Sequence, residues 1–367
     1  MSDNTYLSQQ IITYMGNKRK LLAAIDDGLR HIQTELRQER LTVGDGFSGS
    51  GIVSRLFKTR CSALFTNDLA GYARTLNECY LSTPSHDQLE QIHEYIDAIN
   101  DLDFADVSEP WVSQHWAPRT STISDNDRVY FTHDNGRRID VMRNFIANEV
   151  PDELKPYVLA PLLVETSIHN NTSGHFAAFY KGGYGGMKQV DLRRITQNIR
   201  IPYPLFSQSE CDVTITQMDT NEWSSTIPGL DVVYYDPPYN KHPYHIYYFL
   251  LDVVNNWDKT QDVPATHRGQ PKKWTKSRYN SLVHAKTAMD DLIRTTRAKY
   301  IMLSYNSGGI IPLDELEMLL SKYGELQKNE LNYSIYNRMK GLGEYKRKAI
   351  PSTASKEMLY ILKRTLH

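Results

Sequence analysis

LTVGDGFSGSGIVSRLFKTRCSALFTND, residues 41–68, is the stretch that decides the fold of this 367-residue chain. It predicts a short strand, a glycine-rich turn, a helix that starts at Gly51, and a second strand that ends at Asp68. Gly49 and Gly51 let the backbone approach a ligand, and the helix behind them presents free N–H groups. With Asp45 ending the first strand, the layout is typical of a nucleotide-type site. Each feature also has a purely structural interpretation, as a tight turn or as an acid that caps the next helix.

Strand patterns return late in the chain and alternate with helical patterns, which favours a mostly parallel sheet. The late strand segments are 211–219, 230–236, 299–306 and 357–364. The middle of the chain instead shows helical patterns at 88–99, 140–148 and 153–165, with a loop-rich stretch after the first of them that runs to about residue 130. We therefore predict an α/β fold in which residues 1–80 and 205–367 form a Rossmann-like sheet domain, interrupted by a helical, loop-rich insertion at 81–204.

The composition is that of an ordinary soluble globular protein, with 40% hydrophobic and 23% charged residues. No apolar run approaches the roughly 18 residues of a membrane span, and the N-terminus carries no signal pattern. The three cysteines are far apart and fit neither a disulfide framework nor a CxxC metal site. We expect a cytoplasmic protein, monomeric or dimeric, with no metal ion and no membrane partner.

The segment DVVYYDPPYNKHPY, residues 231–244, places an acid and two prolines directly after an apolar strand. Pro237 and Pro238 fix φ and remove two donors, so the carbonyls of Asp236 and Pro237 remain available as acceptors beside the Asp236 carboxylate. Tyr239 adds a flat face for stacking. This cluster suits a planar group that bears an exocyclic NH2. The structural alternative is a strand that Pro-Pro simply terminates.

Together, DGFSGSG (45–51) and DPPY (236–239) resemble the AdoMet-dependent amino-methyltransferases, and specifically the alpha group of N6-adenine DNA methyltransferases, the Dam-like D12 class. Further similar segments follow in the family's order over most of the chain: YMGNKRKLL (14–22), TND (66–68), TSGHFAAFYK (172–181), TQMD (216–219) and IMLSYNS (301–307). Gly46 departs from the family, which usually has proline there. The resemblance implies a Rossmann-like class I methyltransferase sheet with an inserted target-recognition domain.

The resemblance also implies roles for individual residues toward AdoMet. The motif that approaches the methionyl carboxylate supplies Tyr14, Met15, Gly16 and Lys18. The turn around the methionyl part supplies Asp45, Gly46, Phe47, Ser48, Gly49 and Gly51. Asp68 would hold the ribose diol, and Asp219 would accept from the adenine amino group.

By the same resemblance Asp236, Pro237, Pro238 and Tyr239 are the catalytic residues. Hydrogen bonds from the adenine N6 to Asp236 and to the Pro237 carbonyl would favour a pyramidal nitrogen and offset its developing positive charge. An aspartate with an ordinary pKa of about 3.9 is a weak base, so we prefer this electrostatic role to proton transfer. A duplex adenine must be flipped to reach the site, and stacking on Tyr239 would recover part of the cost. Tyr244 is expected to close over the base, with core packing as its equally supported alternative.

Duplex DNA is the expected partner, and a cognate restriction endonuclease is a further one. The net charge is only −1, but residues 267–299 hold nine bases against two acids. A basic segment on a neutral protein can follow a phosphate backbone, although a charge run alone is more often a solvated surface. The candidate DNA-binding residues, besides Tyr244, are Lys272, Lys273, Lys276 and Arg278, with Lys181, Lys188 and Arg193 in the insertion.

Two classes of alternative remain open at this point. The same core could methylate N4 of cytosine, RNA or a glutamine amide, although the Asp before Pro-Pro-Tyr favours adenine by the resemblance. The large insertion argues against the compact RNA and protein enzymes. A catalytically silent nucleic-acid-binding protein is the other class, and the presence of Asp45, Asp68, Asp236 and Tyr239 argues against it.

Overall fold

The computed structural model describes residues 3–14, 16, 18–241, 243–272, 276–331 and 356–365. Two of the predicted site residues, Met15 and Lys273, lie outside these ranges.

A single mixed sheet of seven strands organises the described part of the chain. The strands are β1 (Leu41–Asp45), β2 (Cys61–Asn67), β3 (Asp212–Thr216), β4 (Leu230–Tyr235), β5 (Ala298–Asn306), β6 (Gly324–Leu331) and β7 (Glu357–Arg364). Their order is β3-β2-β1-β4-β5-β7-β6. Strands β1 to β5 pair in parallel, whereas β7 is antiparallel to both of its neighbours. The predicted α/β class and mostly parallel sheet are therefore confirmed.

The chain order reverses between β1 and β4, and this position determines where a ligand can bind. From β1 the chain proceeds outward to β2 and β3 and then returns to β4 on the other side of β1. Helices that leave adjacent strands in opposite directions open a crevice at the carboxyl ends of those strands. Asp45 at the end of β1 and Asp236 just beyond β4 both lie at this crevice.

Thirteen α-helices surround the sheet within the described residues. They are α1 (Asp3–Ser8), α2 (Leu22–Leu36), α3 (Ile52–Lys58), α4 (Gly71–Tyr80), α5 (His86–Asn100), α6 (Val112–His115), α7 (His133–Glu149), α8 (Lys155–Ile168), α9 (Leu192–Thr196), α10 (Thr220–Thr226), α11 (Tyr244–Asn256), α12 (Ala285–Thr295) and α13 (Leu313–Leu320). Short 3-10 turns occupy Lys18–Leu21 and Arg278–Asn280. No helix in these ranges is long and apolar enough to cross a membrane.

Helices cover both faces of the sheet, and successive strand residues point to opposite faces. Tyr234 packs with α2 and α3 on one face, and Tyr235 packs with α10 and α12 on the other. The strand β4 is buried along its whole length, as expected of an apolar central strand in a sheet with two covered faces.

A third hydrophobic cluster joins the predicted insertion to the predicted catalytic domain. Helices α5, α7 and α8 of the insertion share this core with α4 and α11, through residues that include Leu76, Leu163 and Leu250. Residues 81–204 therefore form a core that is continuous with their neighbours, and their role in target recognition stays a prediction.

Two differences from the predicted elements have local causes. The helix predicted to start at residue 140 starts at His133, because the Thr132 hydroxyl caps it by accepting from the Asn135 N–H at 3.0 Å. Strand β6 was not predicted. Its sequence GELQKNEL is polar, and its burial alternates because it is an edge strand paired only with β7.

Candidate active site

A cavity of about 290 Å³ opens at the carboxyl ends of the central strands. Its walls come from separate parts of the chain: the residues before α2, the turns after β1, β2, β3 and β4, helix α11, and the segment 277–280. Seven of the predicted site residues line it, namely Tyr14, Phe47, Asp68, Asp219, Asp236, Pro238 and Tyr244. The structure thus brings together residues that the sequence separates by up to 230 positions, from Tyr14 to Tyr244.

The glycine-rich turn is held by backbone hydrogen bonds at its first residues. The N–H of Gly46 donates to the Tyr234 carbonyl, and that of Ser48 to the Asn67 carbonyl, both at 3.0 Å. A Cβ on residue 46 would lie only 2.5 Å from the Tyr235 ring. Proline would therefore clash here and lose the donor, which explains why this chain has glycine at a position where the family usually has proline.

Asp45 is buried, and only one of its two carboxylate oxygens accepts a hydrogen bond in the described part of the chain. Its Oδ2 accepts from the Ser54 hydroxyl at 2.6 Å, whereas Oδ1 is buried and has no hydrogen-bond partner among the described residues. Burial raises the pKa of this carboxyl to about 7, against the effect of the Ser54 bond. A buried acceptor without a partner is costly unless a ligand supplies a donor, so Oδ1 marks a position for a cationic or N–H group.

Asp68 is oriented by two backbone donors. Its Oδ2 accepts from the Gly49 N–H at 2.8 Å and its Oδ1 from the Ala70 N–H at 2.9 Å. Burial raises the pKa of the carboxyl, and these bonds act in the opposite direction. Each carboxylate oxygen keeps a second lone pair, so the group can still accept from two ligand hydroxyls.

Asp219 and Arg278, which were predicted to contact the cofactor and DNA respectively, form an ion pair. Asp219 caps α10 by accepting from the Asn221 N–H at 2.9 Å, and the same oxygen lies 3.0 Å from the Arg278 guanidinium. Arg278 therefore reaches toward the wall of the cavity in this structure, and its predicted role at a phosphate competes with this contact.

Lys18 contacts Asp236, the predicted catalytic acid. Its ammonium lies 3.1 Å from Asp236 Oδ1 and 3.6 Å from Glu357 Oε2, and the side chain is only 3% exposed. The predicted approach of this residue to the AdoMet carboxylate stays a prediction, and in this structure its ammonium contacts two protein carboxylates instead. Because β7 is antiparallel, its first residue, Glu357, lies at the same edge of the sheet as the end of β4.

The pKa of Asp236 differs from the ordinary value used in the sequence argument. Burial raises the pKa of this carboxyl to about 6, although Lys18 lowers it, and the negative charge of Glu357 raises it further. A carboxylate with a pKa near 6 is a better proton acceptor than an ordinary aspartate and is still ionised at neutral pH.

Tyrosine rings form one wall of the cavity. Tyr14 stacks on Tyr248 with ring centroids 4.6 Å apart and on Tyr244 at 5.3 Å. A Cβ on Gly16 would meet the hydroxyls of Tyr239 and Tyr244 at 3.2 and 3.4 Å, so these hydroxyls converge over a residue with φ +74°. Tyr244 therefore lines the cavity, whereas Tyr248, which is 1% exposed, packs in the core behind it.

Arg193 and the predicted DNA-binding lysines within the described ranges are exposed and come from two segments that meet. The exposed side chains are Lys181, Lys188, Arg193, Lys272 and Lys276. The Phe179 ring lies 4.9 Å from the His267 ring, and the Gln270 amide donates to the Phe176 carbonyl at 3.1 Å. A further bond, from Asn280 to the Asn240 carbonyl at 2.7 Å, ties the segment after Lys276 to the catalytic turn.

Sequence reasoning missed Glu357 and a second pair, His245 with Asp252. The His245 ring lies 3.0 Å from the Asp252 carboxylate at the cavity wall, and this partner raises the pKa of His245. For Glu357 a usable signal exists, because an acid begins the last strand. Among the described residues no cluster of acids, histidines and cysteines could hold a metal ion.

Comparison with known proteins agrees with this arrangement. The model of the D12 class of N6 adenine-specific DNA methyltransferases matches residues 14–319. The type II methyltransferase M.NlaIII of Neisseria lactamica is 25% identical over 359 residues, which cover 96% of this chain and 100% of that protein. M.CviAII of Paramecium bursaria Chlorella virus 1 is 27% identical over 322 residues, covering 86% of this chain and 90% of that protein. M.FokI of Planomicrobium okeanokoites is 26% identical over 321 residues, but these cover only 47% of that protein.

The family match extends from the first tyrosine of the cavity wall to α13, and it includes both motifs on which the resemblance was based. The resemblance is confirmed, and with it adenine in DNA rather than cytosine, RNA or protein as the methylated group. This chain belongs to the D12 class of N6 adenine-specific DNA methyltransferases.

Proposed function

We propose that this enzyme methylates N6 of an adenine flipped out of a specific site in duplex DNA, and that the 290 Å³ cavity receives both AdoMet and the base. The observation that carries the proposal is the Asp236 carboxylate, which lines one cavity with Asp68 and Asp219, while Asp45 is buried at the end of the neighbouring strand β1. Asp219 and Asp236 have cationic partners, but Asp45 and Asp68 form no ion pair among the described residues and are costly to bury unless a ligand supplies donors or positive charge.

Methyltransferases of this family take an electrophilic methyl group from AdoMet. The residues present fit this donor, because Asp45 Oδ1 is a buried acceptor without a partner and suits the methionyl ammonium. Asp68, fixed by Gly49 and Ala70, would accept from the ribose hydroxyls. Asp219 would accept from the adenine amino group of the cofactor, in competition with Arg278.

At the other end of the cavity Asp236 would accept a hydrogen bond from the N6 amino group of the target adenine. Lys18, Asp236 and Glu357 together carry a net charge of −1 when all are ionised, which favours the positive charge that develops on N6 during transfer. With its pKa near 6, Asp236 can also take the proton that N6 releases. We therefore assign Asp236 both roles, where the sequence alone favoured only the electrostatic one.

DNA would lie across the exposed basic residues that border the cavity. Lys276 directly precedes Ser277, which lines the cavity, and Lys272 belongs to the same segment. Lys181, Lys188 and Arg193 extend this surface from the insertion. Phosphate contacts from these residues would fix the register of the duplex, while base contacts would determine the sequence that is methylated.

M.NlaIII and M.CviAII are named type II methyltransferases, and we propose that this chain likewise protects a sequence that a cognate endonuclease cleaves. Sequencing of methylated bases in DNA from cells that express the protein tests this. One short sequence methylated at a single adenine is expected. Methylation spread over adenines of every sequence context would contradict site specificity.

Transfer of tritiated methyl groups to duplex DNA, RNA and protein tests the reaction itself. We expect label in duplex DNA alone, recovered as N6-methyladenine after digestion to nucleosides. Label in RNA, in protein or on cytosine would overturn the proposal.

A further inference from the structure

We propose that Glu357 is a positioning residue for methyl transfer: it shares the Lys18 ammonium with Asp236 and so leaves the Asp236 carboxylate free to engage the target amino group. This inference rests on the role of Asp236 proposed above. Glu357 belongs to neither of the motifs that define the family resemblance and lies beyond the matched residues 14–319.

Glu357 is held in place from the side opposite Lys18. Its Oε1 accepts from the Asn306 amide at 3.1 Å, and Asn306 in turn accepts from the Gly308 N–H at 2.8 Å. Asn306 and Glu357 are paired residues in the register of β5 and β7. The remaining oxygen, Oε2, is buried and faces Lys18 at 3.6 Å. The Glu357 side chain is 12% exposed, and these contacts hold it toward Lys18 rather than toward solvent.

The charge arrangement explains what this second carboxylate does. A buried ammonium beside a single carboxylate forms a neutral pair, in which the ammonium attracts that carboxylate alone and lowers its pKa. With Glu357 present, Lys18 is shared between two acids, and the group keeps a net negative charge. Asp236 then retains acceptor capacity and basicity for the substrate, because the Glu357 charge opposes the effect of Lys18 on the Asp236 pKa.

Several other titratable groups face Asp236 and must be considered with Glu357. These are the Asp45 carboxyl and the phenols of Tyr234, Tyr239 and Tyr244. All three phenols have pKa values raised by burial and stay neutral between pH 5 and 9. Asp45 ends the neighbouring strand β1 and has its own charge change near pH 7, and its effect on AdoMet binding is removed by saturating AdoMet.

The test compares Glu357→Gln with Glu357→Asp, with Asp236→Ala as a reference. Glu317→Gln is the matched control. Glu317 also contacts a side chain of β7, Tyr360, and a lysine, Lys328, but it lies outside the cavity. Single-turnover methyl transfer at saturating AdoMet and DNA is measured from pH 5 to 9, and both ligands are titrated separately by equilibrium binding.

Glu357→Gln keeps the size and the Asn306 contact but removes the charge. We expect a rate about tenfold lower at pH 8 and Kd values for AdoMet and DNA within about twofold of wild type. The acid limb of the pH–rate profile, where the rate falls as Asp236 takes up a proton, should move down by about one pH unit. Glu357→Asp should lower the rate and leave the acid limb in place, and Glu317→Gln should match wild type. If Glu357→Gln is too unstable to assay, Glu357→Asp is measured in its place. A wild-type transfer rate for Glu357→Asp would then overturn the proposal.

A wild-type rate and acid limb for Glu357→Gln would also overturn it, as would a loss explained entirely by weaker AdoMet or DNA binding. The two variants distinguish the role of Asp236 from the role of Glu357. An Asp236→Ala enzyme with wild-type turnover refutes the proposed role of Asp236, whereas an inactive Asp236→Ala beside a wild-type Glu357→Gln refutes only the role of Glu357.

Discussion

Strands β1 and β4 each lead to an aspartate at the crevice, and we call these the Asp45 end and the Asp236 end. Asp45 is buried and Asp236 is half-buried, but only Asp236 lies beside a cation. Asp236 lies 3.1 Å from the Lys18 ammonium, whereas Asp45 Oδ1 has no partner among the described residues. Burial raises the pKa of both acids, to about 6 and about 7 respectively. The difference supports the proposal that Asp45 binds a charged group of the cofactor and that Asp236 acts on a neutral amino group.

Asp236→Asn should have the largest effect, because it removes the acceptor and the charge at the reacting nitrogen. We expect single-turnover methyl transfer to fall on the order of 10³-fold, with AdoMet binding nearly unchanged. Asp231→Asn is the matched control: Asp231 lies on the same strand and pairs with Lys299 at 2.8 Å, outside the cavity. Equal losses in the two variants would point to damage to the sheet rather than to chemistry.

Asp45→Asn should affect binding and spare the chemical step. Loss of a charged acceptor in a buried site costs roughly 1.5–3 kcal/mol, which is about a 10- to 150-fold weaker Kd for AdoMet. The single-turnover rate at saturating AdoMet should stay within about threefold of wild type. Calorimetric titration checks the first expectation, and an unchanged Kd would remove Asp45 from the cofactor site.

The pH dependence of AdoMet binding should be determined by the protonation of Asp45. Because burial raises the pKa of Asp45 to about 7, the carboxyl holds a proton below that pH, and this proton must leave before an ammonium can bind. AdoMet affinity should therefore weaken by up to tenfold per pH unit as pH falls below about 7, and proton release should accompany binding. Asp45→Asn should flatten this dependence, while Asp236→Asn should preserve most of it.

The exposed basic surface should give the smallest and most salt-sensitive effect. Replacing Lys272 and Lys276 by alanine should weaken DNA binding and lower the slope of log K against log salt by about 2, one for each lost phosphate contact. AdoMet binding should not change. Lys322 and Lys328, which pair with Asp290 and Glu317, provide a control pair. An unchanged salt slope in the first variant would remove these two lysines from the DNA path.

The sequence predicted the Asp45 end of the cavity better than the Asp236 end. The unit at residues 41–68 is local, since its strand, turn, helix and second strand follow one another directly in the chain. Its two strands pair with each other, so a short stretch of sequence is enough to recognise it. The Asp236 turn was also recognisable, because two prolines after an apolar strand are informative by themselves. Its chemistry was not, since the pKa of Asp236 depends on burial and on charges that arrive from distant parts of the chain.

Lys18 shows why the rest could not be predicted. Its contact with Glu357 depends on β7 turning antiparallel beside β5, which sets Asn306 opposite Glu357. No local pattern specifies that register, and the polar strand β6 beyond β7 escaped prediction for a related reason, since an edge strand needs no apolar run. Arg278 was assigned to DNA from composition alone, whereas its contact with Asp219 depends on how the segment 277–280 folds back on the cavity.

One measurement separates the two ends most directly: the single-turnover rate of methyl transfer as a function of AdoMet concentration, in Asp45→Asn and Asp236→Asn side by side. The expected result is that Asp45→Asn needs much more AdoMet but reaches a plateau close to wild type, while Asp236→Asn saturates at wild-type AdoMet concentrations with almost no transfer. A low plateau for Asp45→Asn, or an Asp236→Asn enzyme that recovers at high AdoMet, would contradict the division of the cavity into a binding end and a reacting end.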